Sequence, residues 1–181
     1  MVVILPFLVC IVRVTQPIGA MTMRILKMLA MAAAMGTLST AALAQANCVL
    51  PGNALQLEAT IGAGLNQVRQ SQSLGTLSAN GRLTDAARIH ACDMALNNYF
   101  DHRGSDGSNS QARVRQEGYR DCLVAENLAW GFPDPGSIIN GWMNSPGHRR
   151  NMLLQNVREY GVGVVEGPQG PLWVLVVARP C

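Results

Sequence analysis

The stretch Gly141-Trp142-Met143-Asn144-Ser145-Pro146-Gly147-His148-Arg149 carries more information about this chain than any other. Two shorter islands precede it, Phe100-Asp101-His102 and Ala125-Glu126-Asn127-Leu128-Ala129-Trp130. Together the three islands supply two histidines and one glutamate to a chain in which only 14% of the residues are charged. If the fold brings these side chains together, they form a small polar cavity able to hold a divalent metal ion.

The N-terminal region has the layout of a secretory signal peptide over residues 23–44. A basic opening, Met23-Arg24-Ile25-Leu26-Lys27, precedes an apolar run that ends at the small-x-small site Ala42-Leu43-Ala44. Cleavage there or two residues later gives a mature chain that begins at Gln45 or Asn47. A membrane anchor is the alternative, but the apolar run lacks a flanking stop-transfer charge. We therefore expect a secreted or periplasmic protein with no stable membrane anchor after cleavage.

A second apolar stretch, residues 1–22, lies ahead of that complete signal. Because Met21 and Met23 would each serve as a natural start, we interpret residues 1–22 as a mis-assigned upstream extension. Residues 45–181 remain, and they have the size of one domain with one core.

The charge of the mature region is balanced. From residue 45 onward, eleven arginines face eleven acidic residues and no lysine remains, so the formal charge of +3 comes from Arg13, Arg24 and Lys27. A neutral domain without a basic tail gives no electrostatic reason to bind nucleic acid or an anionic membrane.

Four cysteines remain in the mature region, Cys48, Cys92, Cys122 and Cys181. An even number in an exported chain predicts two disulfides, for which three pairings are possible. We expect Cys92–Cys122 and Cys48–Cys181, the second of which would tie the mature N-terminus to the final residue. A zinc site is the alternative for these thiols, but the sequence has no Cys-x-x-Cys pair to begin one.

Periodicity and turn signals predict several helices followed by a small sheet, an α+β domain. The expected helices cover residues 54–72, a segment capped by Thr84 or Asp85, residues 109–118, a segment opened by Asp134-Pro135, and one from Ser145-Pro146 to about Leu154. The expected strands are Ala125–Trp130, Tyr160–Val165 and Leu172–Ala178.

The islands resemble the CAP superfamily of cysteine-rich secretory, antigen 5 and plant pathogenesis-related proteins, which includes many bacterial members. The resemblance runs from about Leu65 to Ala178 and implies an α-β-α sandwich, with a small antiparallel sheet packed between helices. Besides the islands, it rests on two further motifs: Leu83-Thr84-Asp85-Ala86-Ala87-Arg88 and Arg158-Glu159-Tyr160-Gly161-Val162-Gly163-Val164.

The resemblance also implies a cleft with two histidines and two acids, which in some members binds zinc or another divalent ion. His102 and His148 match the histidines and Glu126 matches one acid, while Ser145 stands at the position of the second. Two imidazoles and one carboxylate would still leave a metal position open to water. The alternative is that the three side chains form a hydrogen-bonded cluster that fixes the helices to the sheet.

Individual residues carry further expectations. Ser145 precedes Pro146, so its hydroxyl is expected to cap the following helix. His148 would then lie in the first turn, where the helix dipole favours a neutral ring. His90 matches no cleft position of the family and is expected to be an exposed helix residue.

Three functions are compatible with these observations. The first, which we favour, is a non-catalytic extracellular binding module for a small-molecule, lipid, glycan or protein ligand. The second is a metal-dependent hydrolase in which Glu126 binds the metal or activates water. The third is a purely structural domain that is stabilised by disulfides.

The processing of the N-terminus can be tested directly. N-terminal mass mapping of the exported protein should find chains that begin at Gln45 or Asn47. The unprocessed precursor should yield no peptide from residues 1–20, and recovery of such peptides would contradict the upstream-extension interpretation.

Overall fold

Five helices and four strands lie within residues 48–181, the part of the chain that this computed structural model describes. The predicted upstream extension and signal peptide lie outside the described residues. The helices are α1 (Ala54–Ser71), α2 (Gly81–Asn97), α3 (Ser110–Gln116), α4 (Pro135–Asn144) and α5 (Pro146–Met152). The strands are β1 (Ser78–Ala79), β2 (Asp121–Trp130), β3 (Glu159–Val165) and β4 (Leu172–Pro180).

The sheet has the strand order β1-β3-β4-β2. Strands β3 and β4, both expected from the sequence, pair in antiparallel orientation. Strand β2 pairs with the other side of β4, also in antiparallel orientation, with Glu126 opposite Val176. The two-residue β1, which the sequence did not predict, pairs with β3 in parallel orientation. Strand β2 is therefore an outer strand of the sheet, and it carries the central island of the sequence.

Helices cover both faces of this sheet, as the burial of β4 shows. Its alternate side chains enter two separate apolar clusters, so the strand is buried on both faces. Trp173, Leu175 and Val177 pack with residues of α1 and α4, whereas Val174 and Val176 pack with residues of α2. The α-β-α sandwich and the α+β class predicted from the sequence are confirmed.

Two glycines of β3 allow α2 to lie directly on the sheet. A Cβ at Gly161 would stand 2.1 Å from the backbone carbonyl carbon of Leu83, and one at Gly163 would stand 2.5 Å from the backbone nitrogen of Arg88. Because backbone cannot move aside as a flexible side chain can, these positions admit only glycine. The motif around residues 158–164 thus fixes the distance between α2 and the sheet.

The helix boundaries agree with most of the sequence signals. Asp134 caps α4 by accepting from the backbone nitrogen of Ser137 at 2.9 Å, as predicted. Helix α2, however, starts at Gly81 and is capped by Asn80, which accepts from the nitrogen of Arg82, so the prediction of a cap at Thr84 or Asp85 was wrong. Among the helices of residues 48–181, none is long and apolar enough to cross a membrane.

Two disulfides form, as predicted, but the predicted pairing was wrong. Cys48 is bonded to Cys92, and Cys122 is bonded to Cys181. The reason is the antiparallel pairing of β2 with β4, which places Asp121 opposite Pro180 and so brings the start of β2 to the end of the chain. The N-terminal segment instead lies against α2.

This pairing predicts a specific peptide map. A non-reducing digest should contain Cys48–Cys92 and Cys122–Cys181 peptides. Replacement of both Cys122 and Cys181 by serine should lower the free energy of unfolding by about 4 kcal/mol, because the bridge closes a long loop in the unfolded chain. Recovery of Cys92–Cys122 or Cys48–Cys181 peptides from native protein would contradict the structure.

Candidate functional site

The outer edge of β2 is covered by side chains from α4 and α5. The indole nitrogen of Trp142 donates to the carbonyl oxygen of Leu128 at 2.9 Å, and Asn151 Nδ2 donates to the carbonyl oxygen of Glu126 at 3.0 Å. Backbone carbonyls on an outer strand need such partners when they are buried. The tryptophan of the third island therefore attaches α4 to the second island.

Asn127 connects the same strand to the histidine of α5. Its side-chain nitrogen donates to the carbonyl oxygen of His148 at 3.0 Å, and its oxygen accepts from Asn151 at 2.9 Å. Through Asn127, the position of His148 is fixed relative to Glu126, the next residue of β2.

Glu126 is the centre of a buried charge cluster. Its side chain has only 3% of its surface exposed. Oε1 accepts from Nδ1 of His102 at 2.9 Å, and Oε2 accepts from a guanidinium nitrogen of Arg113 at 2.8 Å. Burial works to raise the pKa of this carboxyl, but the bond from His102 and the charge of Arg113 outweigh it and hold the pKa below its usual range.

Arg113 was not singled out in the sequence, yet it is the counter-ion of the site. It lies in α3 and is 4% exposed. Besides Glu126, its guanidinium donates to the carbonyl oxygens of His102 and Ser108, both at 3.1 Å. Arg113 therefore ties the loop between α2 and α3 to strand β2. The sequence predicted a helix over residues 109–118 but gave no partner for Arg113.

His102 lies in that loop, and 59% of its side chain is exposed. Its Nδ1–H donates to Glu126, which leaves Nε2 without a bond to that carboxylate. The hydrogen bond to Glu126 raises the pKa of the ring. The prediction that His102 and Glu126 come together is confirmed by this contact.

His90 was expected to be exposed, and this was wrong. It is completely buried on α2, with Nε2 at 2.9 Å from the carbonyl oxygen of Asp101 and 3.9 Å from Glu126 Oε1. Because a carbonyl only accepts, Nε2 carries the proton, and within residues 48–181 the buried Nδ1 has no partner. Burial lowers the pKa of this ring. The spacing of Ala86, His90 and Met94 along one helix face was the signal that should have placed it inside.

His148 lies in the first turn of α5. Burial, and then the charge of the nearby His102, lower the pKa of its ring. This is the direction expected from the sequence, but the cause is burial, whereas the expectation rested on the helix dipole. Ser145 occupies the N-cap position of α5, but its hydroxyl makes no capping bond, so that part of the prediction was wrong.

Beside His148 is a cavity of about 220 Å³ between the end of β2, α4 and α5. Its surface is mainly apolar, and the hydroxyl of Ser145 and the ring of His148 provide the polar side chains. The lining residues are Leu128, Ala129, Phe132, Ile138, Gly141, Trp142, Ser145 and His148.

A larger, shallow groove of about 550 Å³ runs between α1 and α4 on another part of the surface. Ala63, Val68 and Ile139 give it apolar walls, and Gln67 and Asn140 add amide groups. None of the island histidines or Glu126 lines this groove. It is a second concave surface, separate from the charge cluster.

The observed arrangement does not fit the predicted metal ion. Within the described domain, no three His, Cys, Asp or Glu side chains are placed to hold a metal. Both oxygens of Glu126 already accept hydrogen bonds, and one donor is the cation of Arg113. Metal binding by His102, Glu126 and His148 thus stays a prediction from the resemblance, and these contacts do not favour it.

The same contacts bear on the hydrolase alternative. A general base works best when its pKa lies near the pH of the reaction. Glu126 instead has a lowered pKa and is engaged at both oxygens. The arrangement corresponds more closely to the alternative of a hydrogen-bonded cluster, in which Arg113 and His102 take part.

Comparison with known proteins agrees with this fold. The chain is 36% identical over 108 residues to protein YkwD of Bacillus subtilis, covering 60% of this chain and 41% of YkwD. It is 34% identical over 100 residues to the membrane protein YlbC of the same organism, covering 55% of this chain and 29% of YlbC. The chain thus spans less than half the length of these curated relatives.

Solved structures share the architecture. An extracellular protein with an SCP domain from Bacillus anthracis superposes with a TM-score of 0.65 and 27% identity, over 70% of this chain and 41% of that one. An outer surface protein from Borrelia burgdorferi gives a TM-score of 0.62 over 66% of this chain and 90% of that one; at 19% identity it shows the fold alone.

The family assignment rests on a third comparison. The model of the cysteine-rich secretory protein family, CAP, matches residues 63–178. This range contains all three islands, the β3 glycines, the edge-covering tryptophan and the Glu126 cluster. The chain belongs to the cysteine-rich secretory protein (CAP) family.

Proposed function

We propose that this domain is a non-catalytic extracellular binding module and that the cavity beside His148 is its ligand site. The observation that carries the proposal is the combination of apolar walls with two polar side chains, Ser145 and His148, at one end of the sheet. Ligand sites of proteins typically combine an apolar lining with a few polar groups that orient the ligand.

An extracellular or periplasmic location is supported by three observations. Both disulfides require an oxidising compartment to persist. The sequence predicts a signal peptide over residues 23–44. The structurally similar Bacillus anthracis protein is described as extracellular.

The size of the cavity limits its occupant. Its volume of about 220 Å³ lies below the roughly 300–1,000 Å³ of sites that enclose a whole drug-sized ligand. The cavity therefore fits one end of a ligand, such as an aromatic ring or a short branched hydrocarbon. A neutral His148 ring can donate or accept one hydrogen bond, so the ligand carries a polar atom beside its apolar end.

The electrostatics of Glu126 support a binding role without catalysis. The positive charge of Arg113 balances the carboxylate of Glu126, and the hydrogen bond from His102 orients it, so this carboxylate has a structural role in the proposal. The two other interpretations predict different results in a binding experiment at the cavity. A purely structural domain would bind nothing there, whereas a hydrolase would turn over a bound ester or peptide.

Gly141 offers a way to fill the cavity. A Cβ at this position would lie 3.6 Å from the ring of Phe132, which is ordinary van der Waals contact. Gly141→Val should therefore fold and reduce the cavity volume. Gly147→Ala is the matched control, because a Cβ there meets nothing within 4 Å.

Binding should be measured by protein-observed NMR with indole and octanoate as probes. We expect the wild type to show shifts at Leu128, Ser145 and His148. Gly141→Val should weaken binding at least about tenfold, a loss of roughly 1.4 kcal/mol of binding free energy. Gly147→Ala should bind the probes as the wild type does. Equal binding by all three proteins, or shifts confined to the groove between α1 and α4, would contradict this assignment of the site.

A further inference from the structure

We propose that Arg113 is the residue that closes this cleft to divalent cations. Its guanidinium is the permanent counter-ion of Glu126 and occupies the edge of the carboxylate that a metal ion would need. The proposal concerns the charge cluster alone and holds whichever ligand enters the cavity beside His148.

Distances define the conflict between Arg113 and a metal ion. Zinc binds a carboxylate oxygen at about 2.0–2.2 Å. Oε2 of Glu126 already has a guanidinium nitrogen of Arg113 at 2.8 Å, and Oε1 has the Nδ1–H of His102 at 2.9 Å. Each oxygen keeps a second lone pair, but an ion bound there would stand close to the positive guanidinium or to the Nδ1–H of His102. Since Arg113 and Glu126 are both almost completely buried, little water is available to screen the repulsion between the ion and the guanidinium.

Arg113 is also held in place by other bonds. Its guanidinium donates to the backbone carbonyls of His102 and Ser108. Movement of the side chain away from Glu126 would take this donor from the carbonyl oxygen of His102, whereas the carbonyl oxygen of Ser108 would keep the backbone N–H of Gly104.

Loss of the guanidinium would change the site from one that excludes a divalent cation to one that binds it. In an Arg113→Gln protein, the buried carboxylate would keep one hydrogen bond and have no permanent positive charge beside it. A buried carboxylate in that position requires a new cation. As the described domain stands, no three His, Cys, Asp or Glu side chains in it are placed to hold a metal. Without Arg113, whose guanidinium donates to the carbonyl oxygen of His102, the rings of His102 and His148 are the groups that would have to move in to complete a site around zinc.

The test is zinc binding to the folded mature domain, followed by isothermal calorimetry and by the NMR signals of the His102 ring. Wild-type protein should show no shift of that ring at equimolar zinc. Arg113→Gln should gain at least about tenfold in zinc affinity over the wild type, and zinc should raise its melting temperature. Magnesium, which prefers oxygen ligands, should not reproduce either effect.

Two variants separate the role of Arg113 from a general loss of charge. Arg115→Gln removes the neighbouring arginine of the same helix, whose partner is Asp121, and should leave zinc binding as weak as in the wild type. Arg113→Gln/Glu126→Gln removes the carboxylate as well and should lose the gained affinity.

Three results would overturn the proposal. The first is a shift of the wild-type His102 ring at equimolar zinc, which can be measured even if Arg113→Gln fails to fold. The second is a folded Arg113→Gln protein with no gain in affinity. The third is an equal gain in Arg115→Gln.

Discussion

The buried pair of Glu126 and Arg113 is the interaction on which the site depends. Glu126 points from the outer strand β2 into the layer between the sheet and α2, where an isolated carboxylate would be costly. Arg113 reaches it from α3, and His102 reaches it from the preceding loop. One acidic side chain thereby fixes the position of a short helix and a loop that would otherwise contact the sheet through few apolar side chains.

The outer edge of β2 has backbone groups that no neighbouring strand of the sheet pairs with. Trp142 and Asn151 donate to its carbonyls, and Asn127 fixes α5 through the carbonyl of His148. The islands of the sequence are therefore largely structural. They cover the strand edge and, in doing so, form the cavity where Ser145 and His148 face apolar walls.

Much of the fold could be predicted because its signals are local. Asp134-Pro135 marked the start of α4, and two apolar runs near the C-terminus marked strands β3 and β4. The disulfide pairing could not be predicted, because it depends on the register of β2 against β4, which brings Cys122 to Cys181. Long-range register has no local signal when a strand is buried on both faces.

The site was predictable in part. The contact of His102 with Glu126 followed from the resemblance, whereas Arg113 was missed because nothing in a seven-residue helix indicates which arginine turns inward. His90 was misjudged because it matches no cleft position of the family and was therefore expected to be exposed, although its spacing matched the buried face. The contacts of these two residues favour the hydrogen-bonded cluster over the metal site, the two interpretations that the sequence left open.

The most direct test of this account is a double-mutant cycle on unfolding in urea, with Arg113→Gln, Glu126→Gln and the combined variant. If each side chain balances the other, the single variants lose about 3–5 kcal/mol, and the double variant loses less than their sum by about 1–3 kcal/mol. Strictly additive losses would show that the two charges do not interact, and they would contradict the central role given to this pair.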